Sequence, residues 1–312
     1  CENLCLAGGV ALNCVANGRL EREGPFKSIW IQPAAGDAGG SLGAAMLASH
    51  QYFNLPRTIK SNQALDQMQG GYLGPEFADA DIISYLQQRD IKFNHLEDST
   101  IFNQVAELIN NGAVIGWFQG RMEFGPRALG NRTIIGDPRN QSMQTVMNLK
   151  IKNRESFRPF APAVLAENVS DYFQQDTASP YMLLVAKIQD SLRLKEAEHS
   201  LEGFEQLKHK RSTLPAITHV DYSARVQTVH KETNPRFHQL ITAFKALTGI
   251  GVVINTSFNV RGEPPVCSPK DAVECFLATE MDYVVMNNII LDKKQMLEEH
   301  IAEAKLTTFA AD

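Results

Sequence analysis

The chain has 312 residues, 44% of them hydrophobic, with 30 Lys and Arg against 35 Asp and Glu and a formal net charge of −5. That balance excludes a general nucleic-acid surface, and neither an apolar run of membrane-spanning length nor a secretory signal is present, so neither nucleic acid nor membrane is expected as a partner. The length allows more than one domain, and Cys1, Cys5, Cys14, Cys267 and Cys275, too sparse for a disulfide scaffold and without metal-site pairing, read as small core side chains of a protein in a reducing, cytoplasmic setting.

Residues 1–52 read as strand, helix, strand, helix. A short strand in NLCL turns through Gly8 and Gly9 into an amphipathic helix that stops near Gly18 or Gly24. A second strand, Ser28 to Gln32, leads through a Gly-rich turn holding Asp37 into a small-residue helix. Glycine between strand and helix start offers backbone amides to a phosphate; tight packing explains either turn alone, and two adjacent copies favour a nucleotide site. Asp37 reads equally as a metal ligand or a helix N-cap. The chain opens in strand sequence without Met, which reads as a fragment lacking its N-terminal part. Residues 55–78 are polar and unpatterned, and read as a linker at a domain boundary.

Beyond it, ADADIISYLQQRD reads as a helix, IKFNHL as a strand, and the next helix as capped by Ser99 and stopped at Gly112. The strand AVIGWFQ then feeds Gly120 to Arg139, GRMEFGPRALGNRTIIGDPR. This stretch sets Arg121, Arg127, Arg132 and Arg139 among glycines and prolines, with Glu123 and Asp137 as its acids. Gly and Pro rule out a regular helix and the charge speaks against a buried strand, so an irregular cationic loop is expected. Arginine forks and the amides near Gly125 and Gly130 suit an anion better than a merely solvated loop does.

A helix from Ser142 is expected to end at the Arg158-Pro159 step, followed by the strand PFAPAVL. Lys150, Lys152, Arg154 and Arg158 make a second basic cluster; it reads as a solvated helix end on its own, and as half of one anion site beside the first cluster. SPYMLLVAKI reads as a strand and Gln189 to Arg211 as a charged helix or exposed insertion. Asp221, Arg225 and Gln227 suit either a cleft or a surface turn. A helix stopped by Gly249 precedes the strand Val252 to Ile254, which delivers Asn255, Thr256, Ser257 and Asn259, then Arg261 and Glu263, a set that favours a ligand clamp over an ordinary turn. A helix capped by Ser268 with Asp271 and a final strand, DYVVMNNIIL, complete the reading. The eight histidines show no metal motif, and neither a nucleophile elbow nor a P-loop occurs.

The segments LAGGVALNCVANGRL, PAAGDAGGSLGAA, GRMEFGPRALGNRTII, IKNRESFRPFAPAV, HVDYSARVQTV and NTSFNVRGEPPVCSP, in this order, resemble the O-carbamoyltransferases of nodulation-factor and antibiotic biosynthesis over nearly the whole chain. The resemblance implies an α/β fold: the end of an actin-like ATPase-class transfer domain at 1–54, then a YrdC-like α/β domain with a mixed twisted sheet at 79–312. It implies that carbamoyl phosphate and ATP, with Mg2+, yield carbamoyl adenylate, whose carbamoyl group passes to a hydroxyl of a small-molecule or glycan acceptor. Arg121, Arg127, Lys152 and Arg154 would be catalytic, with Glu123, Arg132, Arg158, Asp221, Arg225, Asn255, Ser257 and Asn259 binding substrate and nucleotide. Gly8, Gly9 and Asn13 resemble adenylate contacts of the transfer domain, and Asp37 resembles its ligand to iron or another divalent metal. A homodimer fits this family. The HxxxH pair of the family's transfer domain is missing, so adenylate formation without full transfer is expected. Alternatives are a threonylcarbamoyl-adenylate-type enzyme of tRNA modification and a non-catalytic nucleotide-binding remnant.

Overall fold

The computed structural model describes residues 1–58, 66–194, 207 and 209–306. Its N-terminal part is a two-stranded parallel sheet of β1 (Asn3–Leu6) and β2 (Ser28–Ile31). Parallel neighbours need a crossover, and α1 (Cys14–Glu23) supplies it. The Asn13 side chain accepts from the Ala16 amide and starts α1, and the helix runs through Gly18 to end at Gly24. After β2 comes α2 (Ala38–Leu47).

The longer helices and the strands that follow include α3 (Asp79–Gln88), β3 (Asn94–His95), α4 (Asp98–Asn110), β4 (Ile115–Phe118), β5 (Arg132–Gly136), β6 (Ala161–Leu165), β7 (Leu184–Lys187) and β8 (Ser223–Val229). Then follow α5 (Pro235–Thr248), β9 (Val252–Ser257), α6 (Pro269–Ala278), β10 (Tyr283–Met286), β11 (Ile289–Asp292) and α7 (Glu298–Lys305). The strands form one nine-stranded mixed sheet in the order β3-β11-β10-β4-β5-β9-β6-β8-β7, with β4–β10 and β6–β8 the parallel pairs. Strand alternation sorts the core. Ile115, Trp117, Ile135 and Val253 face α4 and α5, while Ile134, Val252, Ile254 and Phe258 join the cluster that contains Val273 and Phe276 of α6. Each such side chain, buried fully, contributes about 1.5–3 kcal/mol. Local signals agree with this packing: Ser268 and Asp271 form the reciprocal cap of α6, and Gly249 closes α5 in the left-handed region at φ 78°. Among the described residues no helix is long and apolar enough to cross a membrane.

Several elements differ from the sequence-based expectation. The cationic loop ends at Asn131, because Arg132 opens β5, a strand buried along its whole length. The helix Met143–Val146, continued by wider turns over Met147–Ile151, ends at Lys152, where Asn153 takes φ 48°, well short of the Arg158-Pro159 step, so Lys152 and Asn153 do not lie on an extended backbone. The helix α4 starts at Asp98, with Ser99 inside its first turn. Only Asn94–His95 of IKFNHL pairs as strand, and Met182 at φ 56° delays β7 to Leu184. The final strand is a hairpin, since Asn287 at φ 51° turns the chain between β10 and β11. The strand β9 runs on through Asn255 to Ser257. Much of Gln189 to Arg211 lies outside the described residues. In the stretch read as a linker, Met68 is buried and the Tyr72 hydroxyl donates to Leu129 O at 2.7 Å.

The N-terminal part is sewn to edge strand β7 by side chains of α1. Asn17, 2% exposed, donates to Ala11 O at 2.8 Å and Leu183 O at 3.1 Å, and Arg22 donates to Val185 O at 2.6 Å. These bonds occupy edge carbonyls that no strand pairs. Gly18 lets the helix approach, for a Cβ there would stand 2.4 Å from Val185 O. Gly18→Ala would gain about 1 kcal/mol of helix propensity, but an overlap with backbone forces the seam apart at about 1–3 kcal/mol. Net destabilisation is expected in urea denaturation; a stabilised variant would refute close contact at this seam.

Candidate functional site

The β4–β5 connection is held by one carboxylate. Glu123 Oε1 accepts from the amides of Leu129 at 2.7 Å, Asn131 at 2.9 Å and Arg132 at 3.2 Å. Arg132, 1% exposed, donates to Gln119 O, Gly120 O, Asn131 O and Pro75 O, and its guanidinium lies 3.6 Å over the Phe118 ring. A buried strand tolerates this charge because carbonyl oxygens replace its hydration; burial still draws it down to about 10, against the opposing charge of Glu123. Glu123 and Arg132 thus shape the loop from inside. Gly130, at φ 108°, brings the backbone onto the Phe237 ring, where a Cβ would sit 2.2 Å from a ring carbon.

So shaped, the loop presents Arg127 to a cavity of about 320 Å3. Arg154 and Arg158 enter it from the segment before β6, Arg225 from β8, and Asn255 and Ser257 from the end of β9. Among the described residues no carboxylate lines this cavity. Burial lowers Arg127 below its ordinary value and brings Arg225 and Arg154 to about 10, with Arg127 repelling Arg225 and Arg158 repelling Arg154. The Nε atoms of Arg127 and Arg225 are buried without a hydrogen-bond partner among the described residues. Four crowded, partly desolvated guanidiniums with spare donors make a strong receptor for a polyanion. The walls are fixed by amides: Asn255, 1% exposed, accepts from Thr133 Oγ1 at 3.0 Å and donates to Gln227 Oε1 at 2.6 Å and Ala128 O at 2.9 Å. Gln227 in turn donates to Leu129 O at 2.7 Å.

Lys152 stands behind this wall, 5% exposed. Its Nζ donates to Ser257 O and Oγ at 2.8 and 3.2 Å and to Asn259 O and Oδ1 at 2.7 and 2.6 Å. Burial first, then the charge of Arg154, pull it from 10.5 to about 7, while a cage of oxygen acceptors suits the ammonium at and below neutrality. The folded value is depressed for a cation, so the unfolded chain holds more protons between about pH 7 and 10.5 and this residue's contribution to stability rises with pH across that window. The stability of the wild type relative to Lys152→Met is therefore expected to increase from pH 6.5 to 9 in urea titrations; a flat difference would show that Lys152 titrates normally.

Other residues named from sequence fall elsewhere. Arg121 borders a second cavity of about 590 Å3 beside Gln119, Asn131 and Arg236, and donates to Gly74 O at 3.3 Å. Asp221 is exposed and pairs with Lys187 at 3.1 Å. Gly8, Gly9 and Asn13 are exposed, with Asn13 engaged as the cap of α1. Asp37 takes the N-cap position of α2, as one of its two readings had it, but its side chain makes no capping bond; it is exposed, and among the described residues no group of three or more His, Cys, Asp or Glu side chains converges as metal ligands. Cys14 and His219, unremarked as site residues, line the arginine cavity; Cys14 is half-buried there instead of filling a core. Its place directly after Asn13, at a helix start within a glycine-rich motif, was the available signal.

The family model described as carbamoyltransferase C-terminus matches residues 106–293, and that described as carbamoyltransferase N-terminus matches residues 1–46. The chain belongs to the carbamoyltransferase family. It is 61% identical over 296 residues to an uncharacterised protein of Synechocystis sp., covering 94% of this chain and 48% of that protein. It is 40% identical over 295 residues to nodulation protein NolO of Bradyrhizobium diazoefficiens, at 93% and 49% coverage. To the 3'-hydroxymethylcephem-O-carbamoyltransferase of Amycolatopsis lactamdurans it is 33% identical over 260 residues, at 83% and 43% coverage. This carbamoyltransferase chain spans about half the length of the curated relatives it matches. A solved structure of full-length HypF in the phosphate- and nucleotide-bound form aligns over 88% of this chain and 40% of that one, at 13% identity and a TM-score of 0.38, too low to carry an argument. The cavity's arginines all fall within the C-terminal match, whereas Cys14 and Val15 of its wall come from the N-terminal one.

Proposed function

We propose that the arginine cavity binds carbamoyl phosphate together with the phosphates of ATP; water hydrolyses the carbamoyl phosphate to carbamate and phosphate, and the carbamate oxygen attacks the α-phosphorus of ATP, giving carbamoyl adenylate and releasing pyrophosphate. The whole protein would then transfer the carbamoyl group to a hydroxyl-bearing small molecule or glycan. The observation that carries this reading is the convergence of Arg127, Arg154, Arg158 and Arg225 beside Asn255 and Ser257, with no acid in the lining among the described residues. Negative charge gathers on the phosphates as the reaction proceeds, and guanidiniums already stripped of water stabilise it without reorganising. Asn255, locked by Thr133, Gln227 and Ala128, would orient the ligand, and Lys152 would hold Ser257 and Asn259 in place. Mg2+, which neutralises nucleotide phosphates when bound, would find no carboxylate in the cavity wall among the described residues and would be carried by the nucleotide's own oxygens. On this reading the nine-stranded unit is a YrdC-like adenylate-forming domain and residues 1–54 belong to a transfer domain.

The test is pyrophosphate release from ATP by this chain with carbamoyl phosphate, compared with bicarbonate plus threonine. Release that needs carbamoyl phosphate supports the proposal. Release only with bicarbonate and threonine assigns the threonylcarbamoyl chemistry, and none from a folded chain that binds ATP leaves a binding module.

A further inference from the structure

Cleavage of carbamoyl phosphate by water needs a proton acceptor, because the water gives up a proton as its oxygen bonds to carbon. Among the described residues lining the arginine cavity, the guanidiniums keep their protons near neutrality and the amides and hydroxyls are no bases there, which leaves the imidazole of His219 and the thiol of Cys14. Of the two, the imidazole has an orienting chain behind it. His219 Nδ1 lies 3.3 Å from Ser223 Oγ, and Ser223 Oγ donates to Asp221 Oδ1 at 2.6 Å. A hydroxyl has one proton and this one goes to Asp221, so the Ser223 oxygen accepts from Nδ1–H and the neutral ring keeps its lone pair on Nε2. Among the described residues no protein group bonds Nε2. Lys187 holds the far end of the chain, donating to Asp221 O at 2.6 Å and to its Oδ2 at 3.1 Å. The backbone fixes the same turn: the His219 amide donates to Ser223 O at 2.8 Å, the Tyr222 amide donates to His219 O at 3.0 Å, and Tyr222 takes φ 61°. The titratable groups that surround the ring among the described residues are Asp221 on its own turn, Lys187 of β7, Arg225 of β8 and, around the cavity, Arg127, Arg154, Arg158 and Cys14. Burial lowers His219 below its ordinary value, with the charge of Asp221 opposing and those of Arg225 and Lys187 assisting, so the base form prevails at neutral pH.

We propose that His219 is the catalytic base of the arginine cavity, taking the proton of the attacking water at Nε2 while the Ser223–Asp221–Lys187 chain holds its tautomer and orientation. The inference rests on the cavity being the place where carbamoyl phosphate is cleaved. With the phosphate held by the guanidiniums, the water oxygen bonds to the carbamoyl carbon as Nε2 takes one of its protons. The bond from that carbon to the phosphate oxygen then breaks, the electron pair leaves with the oxygen, and the imidazolium returns its proton there. The products are hydrogen phosphate and carbamic acid, which loses its remaining proton to solvent as carbamate, and His219 ends the cycle neutral. Ser223 and Asp221 touch no substrate in this scheme. They are positioning residues, for without them Nδ1–H loses its acceptor and the proton is free to sit on either nitrogen. Asp221, exposed and paired with Lys187, thus serves the cavity from outside its wall.

The experiment follows phosphate release from carbamoyl phosphate in the presence of ATP from about pH 5 to 9, on the wild-type chain and on His219→Gln, Ser223→Ala and Asp221→Asn. Wild-type kcat/KM is expected to rise with pH through an acidic limb below the ordinary histidine value and then level, since only the unprotonated ring accepts a proton. His219→Gln should lower kcat by about 10²–10⁴-fold, leave KM for carbamoyl phosphate little changed and abolish the limb. Imidazole added to His219→Ala should restore part of the rate. Ser223→Ala and Asp221→Asn should lose less and displace the limb. In oxygen-labelled water the wild type should release unlabelled phosphate, the label entering the carbamoyl product. Calorimetric titration of inorganic phosphate should give His219→Gln an affinity near that of the wild type. Wild-type turnover or an unaltered limb in His219→Gln, or labelled phosphate from the wild type, overturns the proposal while adenylate formation stands. Turnover and phosphate affinity lost together in His219→Gln show a structural role and overturn the base. A wild-type chain that binds phosphate but releases none from carbamoyl phosphate overturns the reading of the cavity's reaction, and the role of His219 with it.

Discussion

Arg127→Ala is expected to lower carbamoyl-phosphate-dependent pyrophosphate release by about 10²–10³-fold, the usual consequence of removing one preorganised charge donor. The fold should barely notice. The guanidinium's recorded bond, to Leu12 O, is long at 3.4 Å, its Nε has no partner among the described residues, and burial disfavours its charge. Removing an uncompensated buried cation relieves desolvation, so the unfolding midpoint should hold or rise. Arg127→Lys keeps the charge without the planar fork and should recover only part of the rate. Loss of turnover with an intact midpoint separates a ligand-facing role from a structural one, and unchanged turnover would remove Arg127 from the site.

Glu123→Ala should have the opposite profile, a loss of about 3–5 kcal/mol of stability, the range for stripping the partner from a buried charged group. Three buried amides lose their common acceptor, and Arg132, 1% exposed, loses the nearby negative charge. Glu123→Gln retains an oxygen in the same position and should lose markedly less. Urea denaturation of both variants decides it; equal midpoints for wild type and Glu123→Ala would show that the loop is held without this carboxylate. Because the loop carries Arg127, the alanine variant should also bind anions poorly even where it remains folded.

These two predictions mark how far the sequence was legible. The motif around Gly120 to Arg139 announced a cationic, glycine-shaped loop, and composition alone could not divide its charges. Arg127 faces the cavity, Arg121 borders another, Arg132 is internal, and Arg139 is paired with Asp137 at 2.6 Å. Identical side chains in one stretch took four roles because each role depends on what lies across from it: Leu12, Gly74, Phe118 or Asp137. The strand β8 was missed for a related reason. Its Arg225 and Gln227 look like turn residues until β6, β7 and β9 surround them, when they become one polar edge of the site.

The sequence by itself determined what local chemistry controls: the reciprocal Ser268–Asp271 cap, the Gly249 stop, the buried faces of α4 and α5, the cation-rich motifs and membership of the carbamoyltransferase family. Only the tertiary structure decided the rest. It ended a helix at Lys152, turned one apparent strand into a hairpin at Asn287, put Lys152 behind Ser257, and brought Cys14 of the N-terminal part to the arginines of the C-terminal part. The reason is physical. Caps, stops and periodicity act over a few residues and are written in adjacent letters, whereas the charge and burial of a side chain are set by groups far away in the chain, and these meet only when the sheet has closed around them.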